Sequence, residues 1–95
     1  MRLEWSARAS RDLEHEYQYA KAHNGEANAA ALLGYIAKAV EAVRLAPLTG
    51  RTGRVMGTRE YVVQSTALLL FYRVRGNLLR IERVYPSHRR PPKRV

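Results

Sequence analysis

Leu68-Leu69-Leu70-Phe71-Tyr72-Arg73-Val74-Arg75-Gly76-Asn77-Leu78-Leu79-Arg80-Ile81-Glu82-Arg83-Val84-Tyr85 is the stretch on which the fold turns. Two runs rich in aliphatic, β-branched and aromatic residues, 68–74 and 78–85, flank Gly76-Asn77, and such a two-residue break predicts a β-hairpin. Glycine in the first central position supplies the positive φ of a type II′ turn. Upstream, Tyr61-Val62-Val63 reads as another strand of the same kind, so residues 61–85 predict a three-stranded antiparallel sheet. Gly50-Arg51-Thr52-Gly53-Arg54 before it reads as a glycine-punctuated loop.

Toward the N-terminus the period changes from two to nearly four. Ala9, Leu13, Tyr17 and Ala20 form one apolar stripe, with Arg11, Asp12, Glu14 and Gln18 on the other sides, and Ser6 is placed to cap this helix. It is expected to run to about His23, where Asn24-Gly25 breaks it and Asn24 caps the next helix, with Glu26 favourably set in the first turn. Ala-rich residues 27–31 favour helix, and Leu33, Ile36, Val40 and Val43 give a second stripe that Pro47 stops. Arg2-Leu3-Glu4-Trp5 alternates polar and apolar and predicts a short first strand. The expected fold is α+β: an N-terminal strand, an antiparallel helix hairpin on one face of the sheet, the three-stranded sheet, and an irregular basic tail over 86–95. Ninety-five residues make a single domain, 1–95.

Charge divides the chain in two. Residues 1–50 carry six Lys/Arg against six Asp/Glu, and residues 51–95 carry eleven against two, so the net +9 belongs to the second half. Such self-repulsion costs stability unless an anionic partner offsets it, whether nucleic acid or an acidic protein. The absence of cysteine excludes a disulfide framework, a thiol nucleophile and a thiolate metal site. His15, His23 and His88 lack metal-ligand spacing, and no metal or cofactor is expected. No stretch approaches the roughly 18 apolar residues of a membrane span, and the N-terminus lacks a signal-peptide run, so the expectation is a soluble cytoplasmic protein with no membrane partner.

Several blocks, in order, carry a resemblance: Trp5-Ser6-x-x-Ala9-x-x-Asp12-Leu13-Glu14, the alanine-rich second helix, Pro47-Leu48-x-Gly50-Arg51-x-Gly53-Arg54, Gly57-Thr58-Arg59-Glu60-Tyr61-Val62-Val63, Phe71-Tyr72-Arg73-Val74 and Ile81-Glu82-Arg83-Val84. Together they resemble RelE/ParE toxins of bacterial type II toxin–antitoxin systems, on the ParE-like side more than the RelE-like. The resemblance implies a small sheet with a helical hairpin, a cognate acidic antitoxin that binds the toxin in a hetero-oligomer, and one of two targets. ParE-like members poison DNA gyrase and are not enzymes on RNA. RelE-like members are metal-independent endoribonucleases that cut mRNA on the ribosome. A non-toxic relative or a nucleic-acid-binding domain is a third reading.

Metal-free RNA cleavage needs a base for the 2′-hydroxyl, cations for the phosphorane and an acid for the leaving oxygen. Arg59, Arg83, Tyr85 and His88 are the candidates if the chain is RelE-like. Arg59, Arg73, Arg83, Arg89 and Arg90 are candidates for target or antitoxin binding. Arg83 is read as sharing a strand face with Leu79, Ile81 and Tyr85, where it must snorkel, pair with an anion or bind a ligand. Each candidate has a plainer role beside it. Arg59 can pair with a carboxylate in the hairpin, Tyr85 can be a strand-end core residue, and His88 follows Pro86, two positions beyond the family's usual place for a histidine. The Gly-Arg-x-Gly-Arg loop lacks Walker spacing and simply carries the chain from helix to sheet. Arg89-Arg90-Pro91-Pro92-Lys93-Arg94 can grip phosphates without sequence readout, meet an acidic antitoxin, or stand solvated.

Overall fold

The computed structural model describes residues 1–95, ordered as β1 (Arg2–Trp5), α1 (Ala7–Asn24), α2 (Glu26–Leu45), β2 (Arg51–Thr52), β3 (Arg59–Val62), β4 (Leu68–Arg75) and β5 (Leu78–Pro86). The β4–β5 hairpin turns at Gly76 (φ 55°) and Asn77, the latter without a positive φ, as a type II′ turn requires. All five strands lie in one sheet, in the order β1-β5-β4-β3-β2.

That topology corrects the expected sheet in two ways. First, the N-terminal strand does not stand apart: β1 pairs in parallel with β5, from Arg2 opposite Leu78 to Trp5 opposite Ile81. The α1–α2 hairpin and three further strands separate these partners, so no local pattern announces the pairing. Second, part of the expected Gly50–Arg54 loop forms β2, in which Arg51 and Thr52 pair with Glu60 and Arg59. The sheet is therefore five-stranded and mixed. Proline closes β5, a terminal position where its missing N–H is tolerated, and the expected irregular tail begins at Ser87 instead of Pro86.

Ser6 joins strand to helix. Its Oγ accepts the Ala9 N–H at 2.9 Å as the α1 N-cap and donates to the Glu82 carbonyl at 2.8 Å. Asn24 does not cap α2 as expected. It is the last residue of α1, and Gly25, at φ 87°, turns the chain so that its carbonyl accepts the Ala29 N–H. The glycine substitutes for a side-chain cap because it alone reaches that φ without strain. Leu33, expected in the second stripe, faces outward; Leu32 packs against the core with Ile36, Ala39, Val40 and Val43.

The main core lies between the helix hairpin and one sheet face: Ala9, Ile36, Val40 and Val43 meet Val63, Leu68, Leu70, Tyr72, Leu79, Ile81 and Val84. Six of the eight largest fully buried side chains come from β4 and β5, so the hairpin supplies most of the apolar burial, at about 1.5–3 kcal/mol per large side chain. On the opposite face a smaller cluster of Val55, Leu69 and Phe71 is covered by Tyr85 and Val95.

A bulge between these clusters changes the side-chain plan. Phe71 pairs with Arg83 but Tyr72 pairs with Ile81, which leaves Glu82 as an extra residue in β5. Leu79 and Ile81 therefore face the helices, whereas Arg83 and Tyr85 start from the other face. Their expected alignment on one strand face is corrected by that single inserted residue.

Candidate interface on the basic half

Arg59 stands on β3 opposite Tyr72, and both fasten the segment that follows α2. The Arg59 guanidinium donates to the carbonyls of Gly50 (2.9 Å) and Leu48 (3.4 Å). Tyr72, fully buried, accepts the Gly50 N–H at 2.9 Å and donates to the Pro47 carbonyl at 2.8 Å. Burial pushes the Tyr72 phenol above its ordinary pKa, and the Gly50 N–H and the Arg59 charge pull the other way without overcoming it. Arg59 thus pairs with backbone carbonyls instead of the carboxylate foreseen for it.

The neighbouring Glu60 points to the other face, where its side chain is inaccessible. Arg51 reaches it at 2.9 Å, and Arg54 reaches it through its guanidinium at 3.2 Å and its backbone N–H at 2.7 Å. Burial alone would push the Glu60 carboxyl up, but the hydrogen bonds from Arg54 and Arg51 outweigh it and hold the carboxyl below its usual range. This buried carboxylate folds the 51–58 loop onto the sheet, with Val55 over Phe71 and Leu69.

Arg73 donates to Glu82 at 2.9 Å and to the Met56 carbonyl at 3.2 Å, and Arg80 bridges the same Glu82 (2.7 Å) and Glu4. Arg83 forms a bidentate pair with Asp12 of α1, at 2.7 and 3.0 Å. The Asp12 carboxylate raises the pKa of the Arg83 guanidinium, against the opposing effect of burial. Tyr85 meets Phe71 edge-on at 6.0 Å, and the guanidiniums of Arg83 and Arg89 lie 5.0 and 5.7 Å from its ring centroid.

The candidates therefore fall into separate places. Arg83, Tyr85 and Arg89 cluster at the end of β5. Arg73 lies further along the same face, tied to Glu82. Arg59 is two strands away, on the helix-side face, a displacement of about 10 Å from strand spacing alone. His88 is exposed and lines a different groove, of about 470 Å³, with His15, Glu16, Tyr19 and Arg89. Arg90 is exposed beyond it. No three His, Asp or Glu side chains are grouped to hold a metal ion. What the arrangement offers is a surface of oriented cations, with Arg59 two strands from the Arg83–Tyr85–Arg89 cluster.

Sequence reasoning passed over Asp12, Glu60, Glu82 and Tyr72 as site residues, although they hold the arginines and the adjoining loop in place. A signal was present: with only Glu60 and Glu82 among eleven cations, each carboxylate of the basic half must be shared by several arginines.

The fold and the sequence have relatives. Residues 3–91 match the family described as ParE toxin of type II toxin-antitoxin system, parDE. Over 73 residues, 77% of this chain and 75% of the other, the sequence is 34% identical to Y4kP of Sinorhizobium fredii, named as a toxin. A structure of the chromosomal ParDE system from P. aeruginosa superposes with a TM-score of 0.85 at 23% identity, covering 93% of this chain and 97% of that one. A YoeB/ParE toxin from Agrobacterium tumefaciens gives 0.62 at 16% identity over 90% and 98%, and YafQ from E. coli gives 0.57 at 20% over 92% and 94%. These structural likenesses speak for the fold, and the sequence match across nearly the whole chain places the protein in the ParE family of type II toxin–antitoxin toxins.

Proposed function

We propose that the protein arrests growth by binding DNA gyrase through protein contacts, as a ParE-like inhibitor, and that a cognate antitoxin with an acidic segment neutralises it. One observation carries the choice of target: Arg59 lies on the helix-side face of β3, two strands from the Arg83–Tyr85 cluster of β5, so the candidate groups do not meet at one point. Arg59 is held by carbonyls and Arg83 by Asp12. General acid–base cleavage needs its groups within hydrogen-bond reach of one phosphate. The antitoxin reading is supported by the net +9, which an acidic partner would offset. Neighbouring folds are described within ParDE and DinJ–YafQ assemblies, which supports the same reading.

A RelE-like endonuclease is the second reading, favoured by the Arg83–Tyr85–Arg89 cluster. Expression of the chain without its antitoxin separates the two. Trapped gyrase–DNA cleavage complexes and an SOS response are expected before any loss of mRNA. Codon-positioned mRNA cuts with intact DNA would overturn the gyrase reading in favour of the nuclease, and uninterrupted growth would overturn both.

A further inference from the structure

Six of the eight acids are in ion pairs, but only seven of the seventeen Lys/Arg are. Eight ion pairs are present, and none includes Arg75, Arg89, Arg90, Lys93 or Arg94. Four of these five lie in residues 87–95, which contain no carboxylate side chain. This segment is laid against the sheet. The Ser87 N–H donates to the Ala67 carbonyl at 2.7 Å, the Arg89 N–H to the Pro86 carbonyl at 3.2 Å, and the Arg89 guanidinium rests over Tyr85. Pro91 and Pro92 are half-buried, and Val95 packs on the Val55–Leu69–Phe71 cluster. The result is a strap, held near both ends and stiffened by two prolines, that presents four exposed cations outside any ion pair, with Arg89 also at the groove it shares with His15, Glu16 and Tyr19 of α1.

We infer that this strap is a contact surface for the phosphate backbone of duplex DNA, and that it acts whichever target the toxin has. Three features select that partner. Phosphate contacts need charge but no apolar anchor, and residues 87–95 expose no large apolar side chain of their own; the exposed ones nearest the sheet face beneath them are Met56 and Val62. A protein partner docking on residues 87–95 would find no aromatic or large apolar anchor within the strap itself. Single-stranded RNA needs aromatic platforms for its unstacked bases. Here Phe71 is fully buried, Tyr85 already carries two guanidiniums, and Tyr19, the one exposed aromatic near Arg89, is stacked on His23. What remains is an arginine-rich, sequence-blind grip on closely spaced phosphates, which duplex DNA supplies.

The test is fluorescence anisotropy of the purified full chain with a labelled 30-base-pair DNA duplex and a 30-nucleotide single-stranded RNA, from 50 to 200 mM salt. The strap variant R89A/R90A/K93A/R94A retains Pro91, Pro92 and Val95. The control variant R2A/R8A/R11A/K38A removes the same four charges from β1 and the helices, where they too lack acid partners. Circular dichroism verifies that both are folded. Each lost phosphate contact lowers the salt slope by about 0.9, so over this range natural-chain binding should fall about 100-fold further than that of the strap variant. The control should keep most of the natural slope. Equal losses in both variants would reduce the effect to net charge and overturn the proposal, as would tighter binding of the RNA than of the duplex. Should the strap variant misfold, R89Q/R90Q on an otherwise natural strap must still lower the slope by about 2.

Discussion

Asp12 of α1 and Arg83 of β5, 71 residues apart in the chain, form a bidentate ion pair whose carboxylate also accepts the Val84 N–H at 3.0 Å. β1 stops at Trp5 opposite Ile81, so the β5 edge beyond it would be bare. Ser6 covers the Glu82 carbonyl and Asp12 covers the Val84 amide. The carboxylate thus continues, in side-chain form, the pairing that β1 leaves unfinished.

Asp12→Ala is therefore expected to destabilise the protein by about 3 kcal/mol, because it strands both a guanidinium and a backbone N–H. Arg83→Ala leaves Asp12 still bonded to Val84 and should cost less, about 1–2 kcal/mol. Urea midpoints of the two variants decide the order. Equal costs would mean that the amide bond contributes nothing.

Glu60 makes stability depend on acid. Its folded pKa lies below the ordinary 4.5, so around and below that pH the unfolded chain binds more protons and stability falls as pH falls. The contribution is complete above about 4.5 and is lost as pH drops through the depressed folded value. Glu60→Gln should cost about 2–4 kcal/mol at neutral pH by leaving Arg51 and Arg54 without their anion. Its stability should also change less between pH 5 and pH 3 than that of the natural protein, as followed by thermal unfolding across that range.

Tyr72→Phe removes a hydroxyl that bonds Pro47 and Gly50 at once. A loss of about 1–2 kcal/mol is expected, with faster hydrogen exchange at the Gly50 amide as its local signature. Gly50→Ala should disturb the same place by crowding, since a Cβ there would lie 2.5 Å from the Tyr72 oxygen and 2.9 Å from the Glu60 carbonyl oxygen.

His88→Ala and Tyr85→Phe bear directly on the target. With gyrase as the target, each should leave growth arrest within about twofold of the natural protein. With acid–base cleavage of mRNA, loss of a participating group should lower activity by about 10²–10⁴. Survival counts after induction measure the difference.

How far the sequence could be read depended on how local each interaction is. The β4–β5 hairpin was legible because its strands, turn and register lie within twenty residues, with Gly76 marking the turn. Ser6 was legible as a cap for the same reason. The β1–β5 pairing was not, because parallel neighbours distant in the chain leave no joint pattern. Two-residue β2 is too short to alternate. Arg83 was assigned the wrong neighbours because the Glu82 bulge shifts the period-two pattern, and a bulge has no compositional mark at a glutamate. The candidate arginines were visible as a charge excess, but that Arg83 is already occupied depended on Asp12, which approaches from the neutral half.

The parallel pairing of β1 with β5 has a consequence for synthesis. β5 sits between β1 and β4, and it leaves the ribosome after every other strand. A nascent chain shorter than about residue 86 has no central strand on which to assemble β1, and its helix hairpin lacks half of the floor it packs on. The sheet therefore closes late and at once, through contacts of high sequence separation that slow folding. Until then the chain has neither the strap nor the Arg83–Asp12 pair that ties the helix hairpin to β5.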